Sequence, residues 1–600
     1  MTTIQQRIEA LRSLMQEHGL SAYIVPGTDP HASEYMCDHW KEITWLSGFK
    51  GETGTVLVTL DEAFLWTDSR YYLQADKELT GTGVSLMRES DIDTPTIPEW
   101  LAGNLKHGDT VGVNPEMFTV SGYKALADEL SNAGISLFSI DFIRKLWTAD
   151  RPPVPQVPLY EYSAEFAGET TQSKLARVRA EMKKRKTDTM VISALDEIAW
   201  LLNIRGLDVD FNPVVISYLL LRLDSCTLFV DPEKVTAEAA AYLRKESITV
   251  CGYEDIFPAL SNLPSTASVL FDGSRLNRAL YEALPEHCKK TDTQSPVLVM
   301  KSVKNPVELE GERIAMRQDA VALTRFFRWL EEEAFRGGKT PTEYDLMEKL
   351  HEYRAMGKNF VTESFGTIAG YKGNGAIVHY EATMQDCATV YPEGMLLLDS
   401  GGQYLDGTTD ITRTVWLGGE IPEQAKLDYT YVLKGHIALA TVRFPKGTRG
   451  NQLDALAKQY MWQAGITYGH GTGHGVGHFL GCHEGPQNVR TDNNPTVLKA
   501  GNICSDEPGI YRTGMWGVRI ENLVAVTEAP QTDARTTDDQ FLCWETLTLC
   551  YYDTTLIEMS LLTEEEKTWL NRYHERVYNE ISPMLSTDDA AWLKNKCKAI

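Results

Sequence analysis

A proline-rich segment, Arg151-Pro-Pro-Val-Pro-Gln-Val-Pro158, constrains the fold of this chain more than any other feature of its sequence. Proline fixes φ and cannot donate a backbone hydrogen bond, so the segment can continue neither a helix nor a central strand and indicates an extended linker. A second break, Asn305-Pro306, stands just before an amphipathic helical stretch over residues 307–335. Because 600 residues are too many for one hydrophobic core, the breaks predict domains at 1–155, 156–304 and 305–535, with a C-terminal extension at 536–600.

The two segments before Asn305 repeat one pattern. Each begins with a helical stretch and continues with a short apolar strand, a tryptophan-led element that ends at glycine, and further strand-like runs. In the first segment these elements lie at residues 4–18, 22–25, 45–48 and 55–59, and in the second they lie at residues 175–186, 189–192, 200–206 and 218–230. Helices that alternate with strands predict α/β domains, and the repetition predicts a duplicated unit.

The pattern changes after residue 305, where helices alternate with strands that look antiparallel. Strand-like runs and helical stretches occur there at residues 395–399, 408–416, 425–442 and 452–464. The first two runs are separated by residues 403–407, in which Asp406-Gly407 suits a hairpin turn. Residues 541–600 combine two strand-like runs with an acidic-led helix at 563–581, which predicts an ordered extension. The larger C-terminal part is therefore expected to be α+β.

The charge balance excludes some classes of partner. With 83 acidic and 58 basic residues the chain carries a net charge of −25, which repels phosphate backbones, so nucleic acid is not expected as a partner. Residues 1–15 lack the basic and apolar parts of a signal peptide, and apolar stretches such as residues 214–221 are too short to span a bilayer. Ten cysteines without close pairs indicate reduced thiols. We therefore expect a cytoplasmic protein with no membrane partner.

Histidine and glycine are concentrated in one short segment. Four of the 13 histidines fall within residues 470–483, three of them in His470-Gly-Thr-Gly-His474-Gly-Val-Gly-His478. Glycines at this density let the backbone approach another group closely or adopt a positive φ. A lone histidine is usually structural, but this clustering favours a binding or catalytic site.

Acidic residues interrupt several apolar strand-like runs, and four of them are candidate ligands: Asp399, Asp410, Glu507 and Glu521. Asp399 directly follows the apolar residues 395–398, a costly place for a carboxylate unless it is paired or bound to metal. In the strand predicted over residues 517–522, alternation places Arg519 and Glu521 on one face. Any one of these acids could be a turn cap or a surface charge. Four acids in such runs favour a common site.

Four carboxylates and one imidazole form a donor set dominated by oxygen. Such donors favour Mn²⁺, with Zn²⁺, Co²⁺ or Fe²⁺ as alternatives, and disfavour metals that seek thiolates. Four carboxylates exceed the needs of one catalytic ion, so we expect two divalent metal ions. They would stand about 3.5–4 Å apart and share a water that is acidic enough to attack near neutral pH.

Six motifs carry a family resemblance: Asp399-Ser-Gly, Asp406-Gly-Thr-Thr-Asp410, His470-Gly-Thr-Gly-His474-Gly-Val-Gly, His483-Glu-Gly-Pro486, Asp506-Glu-Pro-Gly509 and Arg519-Ile-Glu-Asn522. They closely resemble those of the cytosolic, three-domain X-Pro aminopeptidases, which belong to the pita-bread metallopeptidases with prolidase, methionine aminopeptidase and creatinase. Residues 29–35, 66–70 and 194–200 also match, so the resemblance extends along nearly the whole chain. His478 departs from the pattern, which has a smaller residue there. The resemblance implies two creatinase-like N-terminal α/β domains, a pita-bread catalytic domain and a C-terminal extension.

The resemblance also implies a role for each matching ligand. Asp399 would bind one metal ion, and His474 and Glu507 would bind the other. Asp410 and Glu521 would bridge the two ions. Glu507 would in addition carry a proton from the bridging water to the leaving proline nitrogen.

Four further residues have implied roles around these ligands. His379 and His483 resemble the outer histidines of the family, which hold the scissile carbonyl and the proline side of the substrate. His470 would line the pocket. Arg519 would steady Asp399 by hydrogen bonding, as partners of metal ligands commonly do.

The implied activity is removal of an N-terminal residue that precedes proline, through a hydroxide that bridges two metal ions. An X-Pro bond is a tertiary amide with no N–H and a fixed φ, so an apolar pocket on the proline side can select it. A prolidase-type dipeptidase or a creatinase-like hydrolase shares the implied fold, but the duplicated N-terminal domains favour the aminopeptidase. A binding module that has lost catalysis is disfavoured because all five ligands are present. The resemblance also implies a homodimer.

Overall fold

The computed structural model describes residues 3–89, 91–530 and 540–600 and divides the chain into two compact units. The N-terminal unit consists of Met1–Ala164 with Glu169–Leu298, and the C-terminal unit consists of Glu165–Gly168 with Val299–Ile600. The expected boundary after residue 155 falls inside the N-terminal unit, and the boundary after residue 535 lies outside the described residues. The four domain ranges therefore stay a prediction.

The N-terminal unit contains two six-stranded sheets with the same strand order. Across the first sheet the strands are Ser85–Arg88, Ala63–Thr67, Thr55–Thr59, Ala22–Pro26, Thr110–Val113 and Ser136–Ser139. Across the second they are Thr249–Cys251, Cys226–Val230, Ser217–Arg222, Thr189–Ile192, Ser268–Phe271 and Lys289–Asp292. In both sheets the third strand pairs antiparallel with the second and fourth, and the outer pairs are parallel. The predicted duplication of an α/β domain is confirmed.

Helices in the N-terminal unit begin at side-chain caps that the sequence supplies. Thr3 accepts a hydrogen bond from the backbone of Gln6, whose side chain accepts one from Thr3 in return, and this capping box starts the first helix. The longer helices are Ile4–Glu17, Glu42–Ser47, Tyr72–Glu78, Ile97–Asn104, Val120–Asn132, Thr171–Lys184, Leu195–Leu202, Ala237–Lys245, Ile256–Ser261 and Arg278–Ala283. Residues 151–158 lie outside helices and strands, as the proline-rich linker predicts.

The C-terminal unit contains several smaller sheets. A six-stranded sheet has the order Arg443–Pro445, Phe541–Thr546, Asn522–Glu528, Ile503–Asp506, Gly473–Gly475 and Glu484–Val489. A three-stranded sheet places Met395–Ser400 between Ile368–Tyr371 and Ile411–Trp416, antiparallel to both. The remaining pairings join Gly402–Tyr404 with Phe360–Glu363 and Gly407–Thr408, and Gly509–Arg512 with Trp516–Arg519.

The helices of the C-terminal unit pack with these sheets, and the largest of the apolar clusters there is the main core. The helices are Pro306–Arg328, Glu343–Ala355, Glu423–Thr441, Asn451–Gln463, Glu564–Ile581 and Thr587–Lys596, and the first continues as the π-helical turn Trp329–Phe335. The helix Pro296–Ser302 includes the boundary between the two units. The main core includes Phe326, Leu396 and Tyr429 together with Tyr552 and Leu570 from the C-terminal residues. The prediction that residues 541–600 form an ordered extension is therefore confirmed for the described residues 541–600.

Two local predictions are wrong. Residues 408–416 are not one strand, because Gly407–Thr408 pairs with Gly402–Tyr404 in a small hairpin that turns at Leu405 and Asp406, and the chain leaves regular structure at Thr409 and Asp410 before Ile411–Trp416 begins. Residues 541–600 contain one strand, Phe541–Thr546, and not two. Residues 548–552 are buried but irregular, since several of their carbonyl groups accept side-chain hydrogen bonds in place of strand bonds.

Over residues 3–89, 91–530 and 540–600, no helix is both long and apolar enough to cross a membrane. All ten cysteines lie in these residues, and each is a free thiol.

Candidate metal centre

Two of the predicted ligands lie inside strands. Asp399 is in the middle strand of the three-stranded sheet, opposite Thr412 on one side and Ile368 on the other. His474 is the central residue of Gly473–Gly475, where the pairing register shifts. A Cβ atom on Gly473 would lie 2.0 Å from the Ser505 carbonyl oxygen, so only glycine allows the strands to approach this closely.

The other three predicted ligands lie where strands break. Asp410 precedes Ile411–Trp416, Glu507 follows Ile503–Asp506, and Glu521 separates Trp516–Arg519 from Asn522–Glu528. The prediction that Arg519 and Glu521 share one strand is therefore wrong, because the strand ends at Arg519. A residue between strands is free from strict alternation, and its side chain can leave the face that a strand would assign to it.

His474 lies among three of the acids. Its Nε2 atom is 3.2 Å from Asp410 Oδ2 and 3.6 Å from Glu507 Oε1. The ligand atoms of Asp410, His474 and Glu521 all lie within 4.8 Å of one another. His474 Nδ1 faces the Gly475 carbonyl oxygen at 2.9 Å, which leaves Nε2 directed to the carboxylates. The structure thus brings these four side chains together.

Asp399 joins the group through Arg519. Arg519 Nη2 donates to Asp399 Oδ2, and its Nε donates to Thr412 Oγ1 at 3.2 Å. Thr412 Oγ1 in turn donates to Glu521 Oε2 at 2.7 Å. The second oxygen of Asp399, Oδ1, is buried and accepts no hydrogen bond. A buried carboxylate oxygen without a partner is the position that a cation would occupy.

The electrostatics of the clustered acids indicate a site that binds cations. Burial raises the pKa of Asp399, Glu507 and Glu521, and the neighbouring carboxylates raise each of them further. At Asp410 burial also acts to raise the pKa, but the hydrogen bond from His474 and its charge lower it below the ordinary value. Four carboxylates in this arrangement ionise together only with added cations, and oxygen donors of this kind fit two divalent ions.

The remaining predicted residues lie at different distances from this group. The His483 ring lies edge-on to His474 with the ring centroids 4.3 Å apart. His470 Nε2 is 2.8 Å from the Tyr511 hydroxyl group, which accepts a hydrogen bond from Arg519 Nη1 at 2.7 Å. His379 is half-buried and follows Val378, whose carbonyl oxygen lies 3.5 Å from Arg519 Nη2. The structure places His483 beside the ligands and connects His470 and His379 to them through Arg519.

Sequence reasoning missed several residues that contact the group. Cys482 is fully buried and its Sγ lies 3.3 Å from Asp410 Oδ2; the ligand atoms of Asp410, Cys482 and His483 also lie within 4.8 Å of one another. Thr412 and Tyr511 both contact Arg519. The adjacency of Cys482 to His483 was the only sequence signal for the thiol, and no pattern marked the two hydroxyl groups.

Family models match nearly the whole length of the chain. Residues 7–145 and residues 150–308 each match a creatinase/prolidase N-terminal domain. Residues 310–528 match metallopeptidase family M24, and residues 540–600 match the C-terminal region of that peptidase family. These matches confirm the expected fold, in which two creatinase-like domains precede a pita-bread domain.

Relatives match this chain over nearly their full length. The chain is 38% identical over 616 residues to Xaa-Pro aminopeptidase 1 of Dictyostelium discoideum, covering 100% of this chain and 97% of the relative. It is 37% identical over 633 residues to aminopeptidase P2 of Arabidopsis thaliana, covering 100% of this chain and 89% of the relative.

A solved structure matches over 100% of both chains, with a TM-score of 0.95 and 35% identity. It is an X-prolyl aminopeptidase from Caenorhabditis elegans, described as a cytosolic enzyme with a di-nuclear active site. The Xaa-Pro dipeptidase from Bacillus anthracis covers 63% of this chain with a TM-score of 0.51 and 21% identity, a likeness of fold alone. At 35–38% identity over the full length of both chains, the chain belongs to the Xaa-Pro aminopeptidases of metallopeptidase family M24.

Proposed function

We propose that this chain is a metal-dependent aminopeptidase that cleaves the bond between an N-terminal residue and a penultimate proline. One observation carries the proposal: Asp410, His474 and Glu521 place their ligand atoms within 4.8 Å of one another in a chain with full-length Xaa-Pro aminopeptidase relatives. The chain also has the complete set of creatinase-type, M24 and C-terminal domains.

The five predicted ligands would hold two divalent cations. Asp399 would serve one ion, and His474 and Glu507 would serve the other. Asp410 and Glu521 would be shared by both ions. Mn²⁺ is the metal we propose, because hard oxygen donors outnumber the single imidazole, and Zn²⁺, Co²⁺ or Fe²⁺ are alternatives. Such a pair of ions makes a water acidic near neutral pH and polarises the scissile carbonyl group.

Glu507 is the proposed proton carrier. Burial raises its pKa, which favours uptake of a proton by this carboxylate. The attacking water gives its proton to Glu507 as its oxygen bonds to the carbonyl carbon. Glu507 then gives that proton to the proline nitrogen as the carbon–nitrogen bond breaks. The leaving group is a secondary amine, so it must receive this proton to depart.

Three histidines around the ligands bind the substrate. His483, beside His474, and His379 hold the scissile carbonyl and the proline side of the peptide. His470, fixed by the Tyr511 hydroxyl group, lines the pocket. A site that does not require a backbone N–H at the second residue of the peptide accepts proline, which has none. An apolar pocket then selects the proline ring.

We also propose that the enzyme is a cytoplasmic homodimer. The Caenorhabditis elegans relative is described as cytosolic, and the ten free thiols of this chain suit a reducing compartment. The homodimer is proposed from the resemblance to the family. Sedimentation that shows a monomer at micromolar protein would exclude it. The domain ranges 1–155, 156–304, 305–535 and 536–600 are likewise proposals, which limited proteolysis would test.

The deciding experiment compares three peptides on metal-free enzyme reloaded with Mn²⁺, with metal content measured on the same sample. We expect rapid release of alanine from Ala-Pro-Ala, much slower hydrolysis of Ala-Pro, and no cleavage of Ala-Ala-Ala. Each of the alternative metals is then loaded in turn. Preference for Ala-Pro over Ala-Pro-Ala would identify a dipeptidase and contradict the proposal.

A further inference from the structure

Arg413 is buried in the C-terminal unit without a carboxylate partner among the described residues. Its side chain is 1% exposed, and all of its nitrogen atoms donate hydrogen bonds. Arg354 is equally buried but pairs with Asp319 at 2.7 Å. A guanidinium group held only by neutral acceptors loses its hydration without the compensation of an ion pair, so its neighbours must supply fixed and well-placed acceptors.

The acceptors of Arg413 belong to three separate segments of the chain. Nη1 donates to the carbonyl oxygens of Thr412, at 3.0 Å, and Glu521, at 2.7 Å. Nη2 donates to Asn522 Oδ1 at 2.9 Å. Thr412 and Glu521 are already joined, because Glu521 N donates to the Thr412 carbonyl oxygen at 3.1 Å and Thr412 Oγ1 donates to the Glu521 carboxylate. Arg413 therefore holds the carbonyl group of Glu521 and also the Thr412 carbonyl group to which Glu521 N donates.

The remaining acceptors lie in the C-terminal region, which we define as residues 540–600. Nε donates to the Tyr551 carbonyl oxygen at 3.0 Å, and Nη2 donates to the Cys550 carbonyl oxygen at 2.9 Å and to the Tyr573 hydroxyl group at 3.1 Å. The guanidinium carbon lies 4.4 Å from the centre of the Tyr552 ring. Tyr573 also accepts from Cys550 N and donates to the Thr548 carbonyl oxygen, so it holds the irregular segment that surrounds Arg413.

Hydrogen bonds around Arg413 also lead to Asp506, the residue before the predicted ligand Glu507. Asn522 Nδ2 donates to the Tyr552 hydroxyl group at 2.7 Å, and that hydroxyl group lies 2.9 Å from His436 Nε2. His436 Nδ1 lies 3.2 Å from Asp506 Oδ2. Asp506 directly precedes Glu507 and is opposite Asn522 in the antiparallel pair. A chain of buried contacts thus runs from Arg413 to the residues adjoining both Glu521 and Glu507.

We infer that Arg413 is a positioning residue of the metal centre and that, through it, the C-terminal region holds Glu521 in the geometry that binds the ions. Arg413 touches neither substrate nor metal; it acts on the backbone of Glu521. The inference rests on the proposed function, in which Glu521 bridges two ions. Partners that orient metal ligands typically change metal affinity about 10- to 100-fold when they are removed.

The test measures Mn²⁺ binding by calorimetry and the paramagnetic resonance spectrum of the bound pair, at a temperature where every variant is folded. For Arg413→Met we expect the Kd for Mn²⁺ to rise about 10- to 100-fold, with a changed coupling between the ions. Arg413→Lys keeps the charge but loses the planar guanidinium group, so its Kd should lie between those of the wild-type protein and Arg413→Met.

Arg205→Met is the matched control. Arg205 in the N-terminal unit is also 1% exposed, donates to the carbonyl oxygens of Ala199 and Ile204, and lies 4.2 Å from the Tyr162 ring centre. Its loss should lower stability while the Kd for Mn²⁺ and the resonance spectrum stay unchanged. A wild-type Kd in Arg413→Met, or an equal rise in Arg205→Met, would overturn the inference.

If Arg413→Met does not fold, Tyr573→Phe tests the positioning role of Arg413 instead. It removes one acceptor of Arg413 and keeps the ring, so we expect a rise in Kd of about 2- to 12-fold, the equivalent of one hydrogen bond. An unchanged Kd in this variant would overturn the inference. Failure of the wild-type protein to bind two ions of Mn²⁺ or of any of the alternative metals would instead overturn the proposed function, and the inference with it.

Discussion

Buried acids in the N-terminal unit differ from those at the candidate metal centre in how their charge is balanced. In the N-terminal unit several buried acids pair with a cation of the protein: Asp208 lies 2.7 Å from Lys234, Glu42 lies 3.1 Å from Arg151, and Glu197 lies 3.2 Å from Arg275, which also pairs with Asp196. At the candidate metal centre three buried carboxylates and the half-buried Glu507 have, within the described residues, ion pairs with Arg519 and His474. Protein groups balance the buried acids of the N-terminal unit, whereas the carboxylates at the candidate metal centre require additional cations.

This difference separates acids that stabilise a fold from acids that bind a metal. A buried pair is neutral, and removing one partner destabilises the protein because the other charge stays buried. Clustered acids repel one another, and their binding of cations offsets that repulsion. Burial alone therefore does not identify a functional acid. An excess of buried acids over nearby cations is the feature that identifies one.

Replacement of a proposed bridging ligand should have the largest effect. Glu521→Ala or Asp410→Ala removes one carboxylate that the proposal assigns to both ions. We expect activity to fall to background, beyond the about 10²–10⁴-fold that acid–base catalysis contributes, and metal content to fall with it. Activity on Ala-Pro-Ala and metal analysis check the prediction, with circular dichroism to show that the fold is retained. Full metal occupancy with normal turnover in either variant would show that the bridge is assigned to the wrong residues.

The Glu507→Gln variant separates a proton carrier from a residue that only holds metal. Glutamine keeps the size and one oxygen donor but lacks the basic carboxylate, so we expect kcat to fall about 10²–10⁴-fold. KM for an X-Pro peptide should change much less, because the histidines proposed to bind substrate remain. The measurement is kcat, KM and metal stoichiometry on one preparation. Recovery of full activity with added Mn²⁺ would mean that Glu507 only binds metal and that another group, such as His483, carries the proton.

The N-terminal unit supplies the opposite test. Lys234→Met leaves Asp208 charged and buried without its cation, so the free energy of unfolding should fall by about 3–5 kcal/mol. Metal content and kcat should not change, since this acid is balanced by protein alone. Chemical denaturation measures the first quantity, and metal analysis and assays measure the others. The double variant with Asp208→Asn should recover part of the stability, and loss of bound metal in Lys234→Met would contradict the distinction between the two regions.

Acid should cause a smaller loss of stability through the protonation of His574. Burial, followed by the charge of Arg413, lowers the pKa of His574 to about 4 from 6.5. A group whose pKa is lower in the folded state binds fewer protons there than in the unfolded chain, so stability is lost as pH falls from about 6.5 to about 4. The loss amounts to about 3 kcal/mol. His574→Gln should unfold with a flatter dependence on pH in this window, measured by denaturation at several pH values. Parallel curves for the two proteins would show that His574 does not titrate on unfolding.

Much of the fold follows from local sequence patterns. The strand Thr189–Ile192 and the first strand of the chain lie where short apolar runs predict them, and the duplicated α/β pattern matches two sheets of identical strand order. Helix ends were predicted within a few residues, because capping residues such as Thr3 and Asn305 mark them. These features depend on neighbours in sequence, which is why a single chain reveals them.

The details of the candidate site depend on contacts between distant residues. Asp410, Glu507 and Glu521 lie at breaks between strands, and no periodic pattern shows where a strand ends before the next begins. Of the two strands expected in residues 541–600 only one forms, and at the irregular residues 548–552 the carbonyl groups of Cys550 and Tyr551 accept hydrogen bonds from Arg413. Sequence motifs identified the candidate ligands, whereas Cys482 and Arg413 became visible only through their contacts.

The close approach of Gly473 to the Ser505 carbonyl oxygen has a genetic consequence. Every missense change of a glycine codon adds at least a Cβ atom, and at Gly473 that atom would lie 2.0 Å from the oxygen. The strand that carries His474 would then move away from its neighbour. Gly475 is equally restricted, since its Cβ would lie 2.2 Å from the Glu484 carbonyl oxygen. A random mutagenesis screen should therefore recover inactive alleles at these two glycines as readily as at the histidine between them.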